Sequence, residues 1–350
     1  MRPTLISTAG ALALAGAATA LSVAANAQNA PQTAPRAPKD YPQQTQFPKE
    51  NKAAVSRWLS AARHTAGADL QPEFNWRCLT SPLDRPAVFA IQHDGLVPAT
   101  RVFDQLYSIG QNAVSAWALD TSDGIILIDA LNSPDEARDI IVPNLVKLGL
   151  DLARIRYVIV THGHGDHWGG AKYLQDTYGA KVVLSDTDWK MLESPSRGGG
   201  PFRDLVPPRR DVTAADGDTV TLGKTTVRLT ITPGHTPGAL SLIFPVTDKG
   251  VAHMVGLMGG SGGGQDSATV HQQVASLGRW GQIAAAAGVD ALITNHPGHM
   301  SANEKLELVN HAMPSDVNPF IYGKDRINRF VAMLGQCSRV QLARMGESGE

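Results

Sequence analysis

Cysteine is almost missing from this chain: 350 residues carry two, Cys78 and Cys337. Neither lies in a Cys-x-x-Cys spacing, which sets aside dithiol redox chemistry and thiolate metal sites. In an oxidising compartment the two can pair, tying a segment before the core to the C-terminal helix, or they can stay apart; spacing leaves both open. Pairing across so long a loop is worth up to about 5 kcal/mol on chain-entropy grounds. An excess of charge is also lacking. Lys and Arg number 31 against 32 Asp and Glu, a net charge of −1, and no block of one sign occurs. A nucleic-acid partner therefore has nothing to recommend it. Past the N-terminus there is no apolar run long enough to span a bilayer, so no membrane association is expected of the mature chain.

What is present begins with an export signal. Arg2 precedes an Ala-rich apolar run from Leu5 to Val23, and Ala25-Asn-Ala27 is a small-x-small cleavage site before Gln28. Residues 1–27 are expected to be a signal peptide directing the chain to the periplasm; a short N-terminal membrane anchor is the alternative. Residues 28–48, rich in Pro, Gln, Ala and Thr, read as a disordered linker. Val55, Trp58, Leu59 and Ala62 at helical spacing predict a helix over 49–66. Pro72, Pro82, Pro86 and Pro98 predict an irregular stretch over 67–100. Residues 49–100 thus form an N-terminal extension to a main domain at 101–350.

Histidine, otherwise sparse, is concentrated at one point. The branched run Tyr157 to Val160 reads as a buried strand, and it delivers His162, His164, Asp166 and His167 within six positions. Glycines at 163, 165, 169 and 170 let the backbone turn sharply between them, and a helix is expected to start near Gly170. Three imidazoles and a carboxylate on one turn at a strand's end form a metal-site arrangement suited to zinc. Two later loops repeat the plan. Thr232-Pro-Gly-His-Thr-Pro-Gly238 follows an alternating strand and holds His235. Ala291-Leu-Ile-Thr-Asn-His-Pro-Gly298 is strand then loop, and offers His296 or, three residues on, His299.

Around these loops the chain runs strands then helix, twice. Strands are predicted at 102–109, 113–119, 124–129, 156–161, 181–184, 219–222, 225–232, 239–245, 251–258 and 291–294. Helices are predicted at 134–148, 186–192, 267–287, 302–312 and 319–343. Two mixed sheets face to face with helices outside fit that order.

His-x-His-x-Asp-His after a buried strand resembles the signature of the metallo-β-lactamase superfamily, and the downstream loops look most like subclass B3 metallo-β-lactamases, over roughly residues 100–310. The resemblance implies an α+β four-layer αββα sandwich. It implies two Zn²⁺ per chain, the first held by His162, His164 and His235, the second by Asp166, His167 and His296. It further implies a bridging hydroxide, oriented by Asp166, that attacks a carbonyl such as that of a β-lactam. The alternative on the same fold is an exported zinc hydrolase of other esters, lactones or sulfates. A metal-binding carrier without catalysis is a third reading, disfavoured by six intact ligand positions.

Relatives such as glyoxalase II place a bridging Asp between the second and third histidine loops. Here that stretch, Val251 to Gly260, has no carboxylate, although Asp266 follows soon after. Subclass B3 enzymes place a serine there that helps hold the substrate carboxylate, and Ser261 within Met258-Gly-Gly-Ser-Gly-Gly-Gly264 is the candidate. Asp129, ending a strand, is a candidate to orient a ligand histidine or simply to cap a helix. Trp168 is expected to pack beneath the loop. Arg197, Arg203, Arg209 and Arg210 fall on a loop able to reach an anionic substrate or to stay solvated. His64, His93, His253, His271 and His311 have no motif around them.

Overall fold

The computed structural model describes residues 37, 39, 41, 43–194, 202–260, 262–264 and 266–350. The expected signal peptide, most of the expected linker, Arg197 and Ser261 lie outside the described residues.

Helix α1 (Lys52–Ala66) is capped by Asn51, whose side chain accepts from the Ala54 N–H. The stretch expected to be irregular is largely helical. Helix α2 (Gln71–Phe74) runs through a π-helical turn (Asn75–Thr80) into α3 (Ser81–Leu83), and α4 (Arg85–Ile91) follows. Pro72 and Pro86 each occupy the first turn of a helix, where the missing N–H has no intrahelical partner to lose, and Pro82 sits where the π-helical turn passes into α3. Pro72 and Pro86 start helices rather than interrupting them.

A seven-stranded mixed sheet takes its strands in chain order: β1 (Thr100–Arg101), β2 (Leu106–Ser108), β3 (Trp117–Thr121), β4 (Gly124–Ile128), β5 (Ile155–Ile159), β6 (Lys181–Ser185) and β7 (Val212–Ala214). β1 to β4 form an antiparallel meander, and β4 to β7 are parallel. Parallel neighbours need crossovers. The first is α5 (Pro134–Glu136), continuing through a π-helical turn (Ala137–Ile141) into α6 (Val142–Lys147), where one unbroken helix was expected. The second is α7 (Gly165–Trp168) followed by α8 (Ala171–Tyr178); the third contains α9 (Asp186–Glu193).

The second sheet has five strands in the order β12 (Ala291–Ile293), β11 (Val251–Leu257), β10 (Leu240–Asp248), β9 (Thr225–Ile231), β8 (Thr219–Leu222). Its one parallel pair, β11 with β12, is bridged by α10 (Ser267–Ala287). Helices α11 (Ala302–Asn310) and α12 (Lys324–Arg344) follow.

Period-two alternation sets the layers. Along β4, Ile125 and Leu127 point into one core with Ile141, Leu145, Leu174 and Trp189 of the covering helices. Ile126 and Ile128 point into another, against Leu229, Leu242, Phe244 and Val255 of the second sheet. The far side of that sheet, through Ile243 and Leu292, meets Ala62, Trp280, Phe330 and Leu334 of α1, α10 and α12. Helix, sheet, sheet, helix is the four-layer αββα sandwich, and each of its apolar side chains is worth about 1.5–3 kcal/mol on full burial. Cys78 and Cys337 are disulfide-bonded, Cα to Cα 4.9 Å, which fastens the π-helical turn of the extension to α12.

Candidate metal centre

The parallel strands end at one edge of the sandwich, and the loops leaving them meet there. Asp129 follows β4, His162 to His167 follow β5, and Asp188 lies in the first turn of α9 after β6. From the other sheet come His235 after β9 and His296 after β12. Two groups of ligand-type atoms result: His162, His164 and His235 in one, Asp166, His167 and His296 in the other, the atoms within each lying inside 4.8 Å of one another. His299 belongs to neither group; its ring sits behind His296, centroids 5.3 Å apart.

Outer contacts decide which ring nitrogen faces inward. His167 Nδ1 donates to Asp129 Oδ2 at 2.8 Å, and His296 Nδ1 donates to the Ala113 carbonyl at 2.9 Å. Thr161 Oγ1 gives its proton to Asp129 Oδ2 at 2.9 Å, so it accepts from His162 Nδ1 at 3.1 Å. Each ring thereby turns its Nε2 into the centre. His162 Nε2 is buried with no partner, as is His235 Nδ1.

In the second group His167 Nε2 faces His296 Nε2 at 3.2 Å and Asp166 Oδ2 at 3.3 Å. Lone pairs and a carboxylate oxygen crowded this closely repel unless a cation lies among them. Without a metal that cation is a proton. Burial disfavours a charged His167, but Asp166 and Asp129 outweigh it and lift its pKa to about 10. Burial holds His162, His164, His235 and His296 below the usual imidazole pKa, in the neutral form that binds metal. The donor set, mostly imidazole with one carboxylate, suits a divalent metal.

Asp129, the candidate to orient a ligand histidine, accepts from His167 Nδ1 and also from the Thr161 N–H at 2.7 Å. It does so from φ +60°, a conformation an Asp tolerates better than most residues. Asp188 went unrecognised in the sequence. Its buried carboxylate accepts from Gly163 N–H (2.8 Å), Thr236 Oγ1 (2.7 Å) and Gly238 N–H (2.8 Å). It therefore clamps the loop carrying His162 and His164 to the loop carrying His235. Burial pushes its pKa up, while the three hydrogen bonds favour the ionised form. No spacing joins position 188 to 236; only closure of the two sheets does.

The glycine run after β11 is also explained here. A Cβ at Gly262 would lie 2.6 Å from His235 Cε1 and 2.7 Å from Nδ1, so a side chain there would strike the ring. Asp266, the possible late carboxylate, instead caps α10 through Thr269 N–H at 2.8 Å. Trp168 is buried and donates to the Gly163 carbonyl at 3.1 Å. Arg209 and Arg210 are engaged by Asp176 and Asp186 away from the centre. His253, His271 and His311 pair with Asp290, Glu347 and Glu307.

Residues 109–248 match the family model of the metallo-beta-lactamase superfamily. Among solved structures, the subclass B3 metallo-beta-lactamase BJP-1 of Bradyrhizobium japonicum superposes with TM-score 0.62 and 25% identity, over 73% of this chain and 98% of that one. A probable metallo-hydrolase of Burkholderia pseudomallei is 30% identical over 117 residues, 33% of this chain and 38% of its own. A hydroxyacylglutathione hydrolase of Acidiphilium cryptum is 34% identical over 91 residues, 26% of this chain and 31% of its own. The chain spans between 31% and 42% of the length of these and the first curated relative. Residues 109–248 thus match the metallo-beta-lactamase superfamily, and the chain has the fold of the subclass B3 metallo-beta-lactamase BJP-1.

Proposed function

We infer that this protein is a zinc-dependent hydrolase that opens a β-lactam ring in the manner of subclass B3, with two zinc ions per chain. The observation that carries the reading is the pair of three-residue ligand groups, in which His162 Nε2 and His235 Nδ1 are buried without a partner. Zinc held there supplies Lewis acidity and lowers the pKa of a bound water toward neutrality. The chain does the rest. His162, His164 and His235 form one set of neutral ligands, and Asp166, His167 and His296 the other. Asp166, with Oδ2 3.3 Å from His167 Nε2 and 3.5 Å from His296 Nε2, is the acceptor able to hold a nucleophile's proton. Asp129 and the Ala113 carbonyl keep His167 and His296 from rotating. Absence of a carboxylate along β11, where hydrolases of the glyoxalase II kind bridge their metals, favours the lactamase reading.

The second reading is hydrolysis of an ester, thioester or lactone, supported by the matched hydroxyacylglutathione hydrolase. The pairing of Cys78 with Cys337 favours an exported, periplasmic location, to be checked by fractionating cells that express the full chain. Nitrocefin turnover abolished by a chelator and restored by zinc is the result expected of the lactamase. Zinc-dependent cleavage of esters or thioesters with no nitrocefin turnover would replace it with the second reading.

A further inference from the structure

A cavity of about 440 Å³ opens over the metal centre, with His235 and His296 in its floor. Its walls come from segments far apart in sequence. The extension contributes Arg77 and Arg85, and α12 contributes Ser338, Gln341 and Arg344. The disulfide joins those two walls at the residue next to Arg77. None of the described lining residues is an Asp or a Glu.

Arg77 is the unusual member. Burial lowers its pKa to about 10, so it still carries its charge at neutral pH. Its Nε has no hydrogen-bond partner, and no carboxylate among the described residues pairs with it. A half-buried guanidinium without an acidic partner is costly, and a carboxylate or phosphate is what its planar fork is shaped to meet. Arg344, mostly buried, also leaves Nη1 without a partner, and its guanidinium lies 4.9 Å from the Phe47 ring. Arg85 is exposed at the mouth. His299 neighbours both: its ring is 5.3 Å from that of His296, and the Arg77 charge is close enough to act on it.

We propose that Arg77, flanked by Arg344, is the specificity-determining residue of this site, pairing with a carboxylate on the substrate while the scissile carbonyl lies over His235 and His296. The substrate class is then an anionic carbonyl compound, and the extension is part of the binding site rather than a cover on the fold. This rests on the hydrolase reading above but not on the bond being a lactam.

The test uses the full-length, metal-loaded protein and two matched pairs: benzylpenicillin with its methyl ester, and 4-nitrophenyl hydrogen glutarate with 4-nitrophenyl butyrate. The wild type should favour the anionic member of each pair it hydrolyses. In Arg77→Gln the ratio of kcat/KM, anionic over neutral, should fall about 10- to 100-fold, chiefly through KM, as expected for loss of a charge-assisted hydrogen bond. Arg77→Lys should recover part of the ratio. Metal content and free-thiol titration identify any variant that has failed to fold or to close its disulfide. Should that occur, the wild-type preference and its weakening by Arg344→Gln decide instead. Equal treatment of both members by the wild type, or equal losses on both in Arg77→Gln, overturns the proposal. Preference among esters without any lactam turnover keeps Arg77 in this role and removes the lactamase reading. Lactam turnover without preference does the reverse. If neither pair is hydrolysed, calorimetric titration with hippurate and hippuramide takes over. Binding of hippurate alone, lost in Arg77→Gln, supports the proposal; any other result sinks it.

Discussion

Asp188 holds three donors from two loops, so its removal strands all three in the interior. Each buried donor left unsatisfied costs about 1–3 kcal/mol. Asp188→Ala is therefore expected to destabilise the protein by roughly 3 kcal/mol or more, and an unchanged urea midpoint would contradict the clamp. Gly262 tests the opposite kind of contact, space that must stay empty. Its missing Cβ leaves room for the His235 ring. Gly262→Ala should lower zinc content and turnover together while the urea midpoint stays close to the wild type. Full zinc loading in that variant would show that the ring tolerates the methyl. The His162 to His167 quartet was legible in the sequence because four ligand types crowd one glycine-rich turn. Asp188 was not, since a lone acid near a helix start reads as a cap until the partner loop arrives. Arg77 was hidden for a related reason. Nothing in Trp76-Arg-Cys78 marks a cavity wall, and the arginines that drew notice, Arg209 and Arg210, pair with nearby acids.

Among elements, α2, α11 and α12 are joined by a buried polar knot. Glu73 of α2 accepts from the Tyr322 hydroxyl at 2.7 Å and lies 3.6 Å from Lys305 of α11. Arg326 of α12 stacks on the Tyr322 ring at 4.2 Å. Burial, only partly offset by Glu73, lowers the Lys305 pKa from 10.5 to about 8. Between those two values the unfolded chain holds more protons than the folded one, so Lys305 makes stability rise with pH. Its contribution across the window is roughly 3 kcal/mol. Urea unfolding of wild type and Lys305→Met from pH 7.5 to 10 checks this: the wild-type minus variant difference should climb with pH, and a flat difference would refute it. Most strands and the long helices α10 and α12 were readable from periodicity, because each buries one face or two. The helices of 71–91 were not, because proline was weighed as a breaker without its position in the first turn. The division of the 134–148 helix by a π-helical turn has no signal in hydrophobic spacing, which it barely disturbs.

At the level of the whole molecule, the disulfide closes a loop of 259 residues. Chain entropy assigns such a closure about 5 kcal/mol at most, less whatever structure the unfolded chain retains. Cys78→Ser with Cys337→Ser should lower the thermal midpoint by several degrees and also erode the discrimination between anionic and neutral substrates, since one bond serves both the fold and the cavity wall. A lowered midpoint with discrimination intact would separate the two roles. Arg77, Arg85 and Arg344 all fall outside residues 109–248, the stretch shared with the superfamily. Five of the six ligand-type residues lie within that stretch and His296 beyond it, so on the proposal above the groups that choose the reactant sit entirely on the flanks. Two homologues alike through the shared stretch can diverge in diet by changing the N-terminal flank and the last helix, so long as the loop bearing His296 is kept.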